Sequence, residues 1–176
     1  FSPTTCRRFI SVVIAAISYD ASNLPRLVQA GAIDALLPLS ISTDVGTCRC
    51  AAFALQRVAL TGEKYSTTPA FVRAIVSLLH FDDASTNHQA CLAAKALCTS
   101  YDGRRQMVDA GVTAPLLRCG RRFVLAAEAM STSSIIEEEG ACTSSAAPSH
   151  GIAPREGVRE ACAALRNLST CCMEAQ

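Results

Sequence analysis

The sequence predicts an all-α protein built from helical repeats that stack side by side. Between residues 23 and 61, apolar residues recur at helical spacing in three consecutive blocks separated by turn residues. The Ala-Leu pair of the third block, Ala54-Leu55, returns as Ala96-Leu97 and again as Ala164-Leu165. Three such short helices could bury their apolar stripes only in part, so each group needs a neighbouring copy.

The clearest repeat unit occupies residues 21–62. Its first block, 24–28, ends at Gly31, and its second block covers 33–39. Asp44 then predicts the start of a longer third helix, because a short side-chain oxygen can accept from the free N–H groups of a first turn. The unit therefore reads as two short helices followed by a long one.

The spacing of the copies identifies the type of repeat. Leu55 and Leu97 are 42 residues apart, and Leu165 follows after a further 68. A weaker copy of the pair, Ala16-Ile17, precedes them. The residues four positions before these sites are Val13, Ala51, Ala93 and Ala161. Small side chains in register predict helices that approach closely, and a period near 42 falls within the ~40–47 residues of HEAT and armadillo repeats.

Four motifs carry a resemblance to the armadillo family. They are Leu-Val-Gln-Ala-Gly-Ala-Ile (27–33), Leu-Leu-Pro-Leu (36–39), Ala-Ala-Phe-Ala-Leu-Gln-Arg-Val-Ala (51–59) and Arg-Glu-Ala-Cys-Ala-Ala-Leu-Arg-Asn-Leu-Ser (159–169). The last resembles the third helix of that repeat most closely. The resemblance covers most of 1–125 and 153–176, and it implies a right-handed α-α superhelix. We expect about three repeats plus a partial N-terminal one, as a fragment of a longer armadillo-repeat protein.

The predicted units follow from this register. The first unit, 1–20, is a partial repeat that comprises only a third helix. Three further units follow at 21–62, 63–101 and 102–176. We expect the third helix of the unit 63–101 at about 87–100, and the first helix of the unit 102–176 at about 105–111. The last unit contains an excess segment at about 126–152 that is rich in Ser, Thr, Ala and Glu. Few of its side chains could offset the entropy of ordering, so we predict a disordered insertion. It is either an inert insertion or a regulated one, since Ser133 and Ser134 precede an acidic run that phosphate would make more anionic.

The first residues allow a second interpretation. Arg7 and Arg8 precede a nine-residue apolar run, which imitates a secretory signal. That run is shorter than the ~20 residues that span a bilayer, and it lies in register with the later third helices. We favour the third helix and expect no membrane span.

Composition argues against several classes of function. The formal net charge is +1, so no global field attracts nucleic acid or membrane. Ten cysteines occur without a Cys-x-x-Cys pair, which favours reduced thiols in a cytoplasmic chain over disulfides or zinc, with the nucleus as the alternative compartment. No His-x-x-x-His spacing, phosphate loop or Gly-x-Ser-x-Gly turn occurs. We expect no enzymatic activity, cofactor, metal or small-molecule substrate.

The resemblance implies where a partner would bind. In armadillo proteins the third helices line a concave face that takes an extended segment of another protein. The corresponding stripe here comprises Arg49, Phe53, Arg57, Lys95, Arg159 and Asn167. Nuclear-import receptors of the family carry a Trp and Asn ladder on this face; only Asn167 matches it, and the chain has no Trp. The cationic stripe is more similar to the groove of beta-catenin-type repeats, which accepts acidic segments.

Three alternatives to a dedicated binding groove remain open at this level. The stripe could be an ordinary solvated helix face with its usual Arg and Lys. The repeats could be the substrate-targeting region of a larger enzyme, such as an armadillo-bearing ubiquitin ligase. They could also form a structural segment of a cytoskeletal or axonemal assembly.

Overall fold

The computed structural model describes residues 2–61, 68–136 and 153–173, and these ranges are helical with short connections. No strand occurs within them, so the all-α prediction is confirmed there. The helices are α1 (Pro3–Ser18), α2 (Leu24–Gln29), α3 (Ala32–Leu39), α4 (Val45–Leu60), α5 (Pro69–His80), α6 (Ala84–Leu97), α7 (Tyr101–Asp109), α8 (Thr113–Ile136) and α9 (Pro154–Met173). A short 3-10 turn, Ala21–Asn23, precedes α2.

The helices pack in two main layers. Helices α1, α4, α6 and α9 lie side by side, each against the next. Helices α3, α5 and α8 form a second layer, in which each packs on the long helix that follows it in the chain. The short helices α2 and α7 directly precede α3 and α8 in the chain.

Side-chain caps determine where the helices start. Asp44 accepts a hydrogen bond from the N–H of Thr47 at 2.8 Å, which confirms its predicted capping role. Helix α6 begins at Ala84 instead of near 87, because Asp83 captures the N–H of Thr86. Helix α7 likewise begins at Tyr101, earlier than predicted, because Ser100 accepts from the N–H of Gly103.

Two glycines end the short first helices. Gly31 follows α2 with φ of 79°, and Gly111 follows α7 with φ of 73°. Both angles lie in the left-handed region, where a Cβ would introduce strain, so glycine suits a helix stop. The repeated Ala-Gly pattern of the sequence thus corresponds to the same turn in two places.

The repeated apolar positions lie in one core. Leu55 is 0% exposed and Leu97 is 3% exposed, whereas Leu165 is half-buried against the same core. The alanines four residues earlier, Ala51, Ala93 and Ala161, are fully buried, as close helix packing requires. Val13 differs, since 53% of it is exposed.

Helix α8 is longer than the sequence predicted. The insertion was expected from about 126, but the helix continues to Ile136. Residues 126–130, Ala-Ala-Glu-Ala-Met, are strong helix formers, and their propensity favours a continued helix. Ser133 and Ser134 lie within this helix, while the rest of the predicted insertion, 137–152, falls outside the described residues.

Two further points concern the predicted connections and the membrane. The sequence predicts a turn at 61–64 and a degenerate first block at 65–69, and residues 62–67 of these fall outside the described residues. Pro69, predicted to end that block, instead begins α5. Within the part of the chain that the structure describes, no helix combines the length and the apolar character needed to cross a bilayer.

Candidate functional site

The candidate site lies along α4, α6 and α9, the three helices that carry all six residues predicted to contact a partner. Because these helices lie side by side, their equivalent positions form a continuous surface. Arg49 and Arg159 are exposed there, and the other four side chains, Phe53, Arg57, Lys95 and Asn167, are half-buried. The predicted stripe is therefore accessible, although unevenly.

A hollow of about 230 Å³ crosses the three helices. Its lining consists of Ala59, Leu60, Leu92, Lys95, Ala96, Thr99 and Asn167. Two of the six predicted residues, Lys95 and Asn167, thus meet at one place although they are far apart in the chain. The apolar floor with a polar rim suits a side chain of an extended peptide whose backbone needs hydrogen-bonding partners.

Arg49 ties α4 to the start of α6. Its Nε and its terminal nitrogen donate to the two carboxylate oxygens of Asp83 at 3.0 and 2.6 Å. The carboxylate of Asp83 also caps α6 through Thr86, and its side chain is only 9% exposed. The hydrogen bond from Arg49 lowers the pKa of Asp83 to about 2, against the opposing effect of burial. Arg49 therefore links α4 to the N-terminus of α6, although much of its side chain is exposed.

We expect Asp83→Asn to lower the free energy of unfolding at neutral pH by about 1–2 kcal/mol. Asparagine retains a capping oxygen, so the loss isolates the charge-assisted pair with Arg49. Because the pKa of Asp83 is depressed in the fold, its ionised form contributes stability above about pH 4 and loses it as the pH falls toward 2. Urea unfolding at several pH values should show the difference from the parent protein narrowing below about pH 4.

The matched control for this change is Asp44→Asn. Asp44 caps α4 through Thr47 in the same way, and the charge of Arg8 is the smallest of the effects that shift its pKa. We therefore expect Asp44→Asn to lower the free energy of unfolding by less than Asp83→Asn does. The role given to Arg49 would be contradicted if the two substitutions lowered the free energy of unfolding equally. It would also be contradicted if the loss caused by Asp83→Asn did not change with pH.

Lys95 ties α6 to α9 in a similar way. Its Nζ donates to a carboxylate oxygen of Glu160 at 2.7 Å, and the Glu160 side chain is only 7% exposed. Burial raises the pKa of Glu160, but hydrogen bonding and charge from Lys95, together with Arg159, outweigh burial and leave the pKa below its usual value. Removing Lys95 would leave a buried carboxylate short of its main partner, so Lys95 cannot be treated as a simple surface charge.

Arg57 and Phe53 connect α4 to the end of α1. The guanidinium of Arg57 donates to the carbonyl oxygens of Ser18 and Tyr19, both at 3.2 Å, which satisfies free carbonyls at a helix C-terminus. Phe53 stacks on Tyr19 with ring centroids 6.4 Å apart and an interplanar angle of 20°. Tyr19 is 77% exposed and so extends the candidate surface. The sequence signal for it was its position in the same helical row as Arg57.

The charges of the stripe are thus largely balanced within the molecule. Asp83 and Glu160 stand beside Arg49 and Lys95, and sequence reasoning did not reveal these partners. Arg159 is the most exposed of the four cations at 74%, with its Nε 3.4 Å from Glu160. It is therefore the cation best placed to meet a group from outside.

Two observations concern metal-binding groups and thiols among the described residues. No group of three or more His, Cys, Asp or Glu side chains suited to a metal ion occurs among them. Burial raises the pKa of Cys48 to about 11, which makes a thiolate unfavourable there. None of the cysteine side chains that the structure describes forms a disulfide.

The comparisons with known proteins extend only to the fold. No family model matches the sequence, and no curated protein matches it. Two crystal structures of engineered proteins are similar to it. The first has a TM-score of 0.61 and 22% sequence identity, and the match covers 90% of this chain and 54% of that protein. The second has a TM-score of 0.66 and 20% sequence identity, and the match covers 95% of this chain and 59% of that protein. This chain covers rather more than half the length of each of these two structures, and the likeness concerns fold alone.

Proposed function

We propose that this chain is a non-enzymatic, armadillo-type repeat scaffold. In this proposal the stacked units form a right-handed superhelix, and an extended, partly acidic segment of a partner protein lies along α4, α6 and α9. The single observation that carries the proposal is the hollow of about 230 Å³ across these helices, because two residues of the predicted stripe, Lys95 and Asn167, both line it.

The dimensions of the surface suit an extended segment. Neighbouring helices pack about 8–10 Å apart, so crossing from α4 to α9 covers about 20 Å. An extended chain advances about 3.3 Å per residue, so about six residues span the site. An apolar side chain of the segment would enter between Leu60 and Leu92, while Thr99 and Asn167 provide polar groups for its backbone.

The charges of the stripe favour an acidic residue of the partner near Arg159. Arg49 and Lys95 already have carboxylate partners, whereas Arg159 is largely exposed. An acidic side chain of the partner therefore gains most beside Arg159. Charge at this rim would chiefly affect the association rate and the choice of partner, and affinity would come from the hollow.

The test begins with a displayed library of random peptides selected on the parent protein. We expect the enriched peptides to combine an apolar residue with Asp or Glu. Thr99→Trp should abolish their binding, because Thr99 is exposed at the hollow and the larger ring would fill it. Arg159→Glu should weaken binding about three- to tenfold, as expected for an exposed charge pair. Affinities are measured by fluorescence anisotropy with labelled peptides.

The control for charge is Arg73→Glu, since Arg73 is exposed on α5 in the other layer. We expect it to leave the affinity unchanged. Peptides that bind Thr99→Trp as well as the parent protein would show that the hollow is not the site. Selected peptides that lack Asp and Glu would contradict the acidic character of the proposed partner. Equal losses of affinity from Arg159→Glu and Arg73→Glu would contradict it as well.

A further inference from the structure

A pocket of about 320 Å³ lies between α5 and α7. Its lining consists of Pro69, Val72 and Arg73 on α5, and of Gln106, Asp109 and Ala110 at the end of α7. On each helix these residues are three and four positions apart, which places them on one face. We call this the α5/α7 pocket. It contains none of the residues of the stripe and none that lines the hollow, so it is a separate site.

The two walls of this pocket carry opposite charges. Arg73 is exposed on the α5 wall, and Asp109 is exposed on the α7 wall. Neither side chain forms a hydrogen bond or an ion pair within the part of the chain that the structure describes. Both charges are therefore available to a molecule that enters the pocket.

The ends of the two helices strengthen this separation of charge. Helix α5 begins at Pro69 and has no acidic residue in its first turn, whereas α7 ends at Asp109 and has no basic residue in its last turn. A helix carries a partial positive charge at its N-terminus and a partial negative charge at its C-terminus. The α5 wall therefore favours an anionic group, and the α7 wall favours a cationic one.

A buried oxygen of Gln106 adds to the negative wall. Its Oε1 is buried and accepts no hydrogen bond from the described residues. Gln106 precedes Asp109 by three residues, so the two side chains lie on the same face of α7. Because a buried acceptor without a donor is costly, a donor group placed between Gln106 and Asp109 would be stabilised by both.

The size and the apolar surface of the pocket limit the ligand further. Small-molecule pockets have volumes of about 300–1,000 Å³, and this pocket lies at the lower end of that range. Val72 is only 1% exposed, and with Pro69 and Ala110 it provides an apolar surface. The complementary molecule is small, with one anionic group, one cationic donor and a short apolar part.

We propose that the α5/α7 pocket binds a free α-amino acid with an apolar side chain. The carboxylate of the amino acid pairs with Arg73, and its ammonium group donates to Asp109 and to Oε1 of Gln106. Its side chain lies against Val72 and Ala110. A simple anion would meet the charge of Asp109, and a simple cation would meet that of Arg73. The end of a protein chain carries only one of the two charges, so the free zwitterion is the better match.

The first test is a two-dimensional NMR titration of the protein with L-valine. We expect saturable shifts of the backbone N–H signals of Val72, Arg73, Gln106 and Asp109 at millimolar concentrations. N-acetyl-L-valine lacks the ammonium group, and L-valine methyl ester lacks the carboxylate. Each should bind about tenfold more weakly than valine, because one wall of the pocket then loses its charged partner.

The second test removes the charges of the pocket one at a time. Arg73→Gln and Asp109→Asn should each weaken valine binding about three- to tenfold, as expected for exposed charges. Arg105→Gln and Asp102→Asn are the matched controls, since they remove the same charges from exposed positions of α7 outside the pocket. Both controls should bind valine like the parent protein. Asp109→Asn should also reduce the preference for valine over N-acetyl-L-valine, because that preference depends on the ammonium group.

Three results would overturn this assignment. The first is a titration in which valine causes no saturable shift at the pocket residues. The second is equal binding of valine and of either blocked derivative, which would show that the pocket does not recognise a zwitterion. The third is an equal loss of affinity in the pocket variants and in their matched controls, which would show that net charge governs binding. The dispersion of the NMR signals establishes that each variant is folded.

Discussion

Replacing Leu97 with Asp is expected to unfold the protein. Leu97 is 3% exposed and belongs to the hydrophobic core cluster, where a carboxylate would lose its hydration. Loss of a buried leucine side chain alone costs about 2–5 kcal/mol. Burial of an unpaired polar or charged group adds several kcal/mol, and the total approaches the whole stability of a typical domain. Far-UV circular dichroism at neutral pH should show loss of helix.

The register provides a second buried site and a matched control on one helix. Leu55→Asp should behave like Leu97→Asp, because Leu55 is 0% exposed at the equivalent position of α4. Leu60→Asp lies five residues later on the same helix, where 55% of the side chain is exposed, and should melt close to the parent protein. A melting curve for Leu97→Asp like that of Leu60→Asp would contradict the repeat register.

A second large effect is expected where α8 crosses α9. A Cβ added at Gly157 would lie 2.6 Å from the ring of Phe123, which is buried and has little room to move. Gly157→Ala should therefore lower the free energy of unfolding by about 1–3 kcal/mol, as overpacking a core does. Thermal and urea unfolding monitored by circular dichroism will measure it.

Gly120→Ala is the opposing control at the same helix pair. A Cβ there would lie 3.7 Å from the Cβ of Ala161, which is an ordinary contact. Alanine also favours the interior of a helix over glycine by about 0.5–1 kcal/mol, so this change should stabilise the protein. A destabilising Gly120→Ala, or a neutral Gly157→Ala, would show that the packing of α8 on α9 differs from that described.

Local chemistry made much of the fold predictable. The side-chain oxygen of Asp44 predicts a helix start, because it can cap the first turn. Gly31 and Gly111 predict helix ends, because glycine readily adopts the positive φ angle found there. The starts of α6 and α7 were predicted late, because Asp83 and Ser100 cap them from turns whose role depends on backbone geometry. The predicted loop after 126 was wrong as far as Ile136, since helix propensity prevails there.

The candidate site was predictable in position but not in chemistry. The helical register placed six residues on three adjacent helices, and it brought Lys95 and Asn167 to one hollow. The ionic partners lie 34 residues from Arg49 and 65 residues from Lys95, so no local pattern indicates them. The position of Tyr19 in the helical row of Arg57 was readable from the sequence, but its stacking on Phe53 was not.

The sequence by itself determined the helical composition, the breaks between helices and the phase of the repeated core. These features depend on side-chain spacing, capping and backbone preference, all of which act over a few residues. Only the tertiary structure decided that Asp83 and Glu160 balance the cations of the stripe. These pairings depend on which helices become neighbours in space, because charge pairing and burial act across distances that the order of residues does not encode locally.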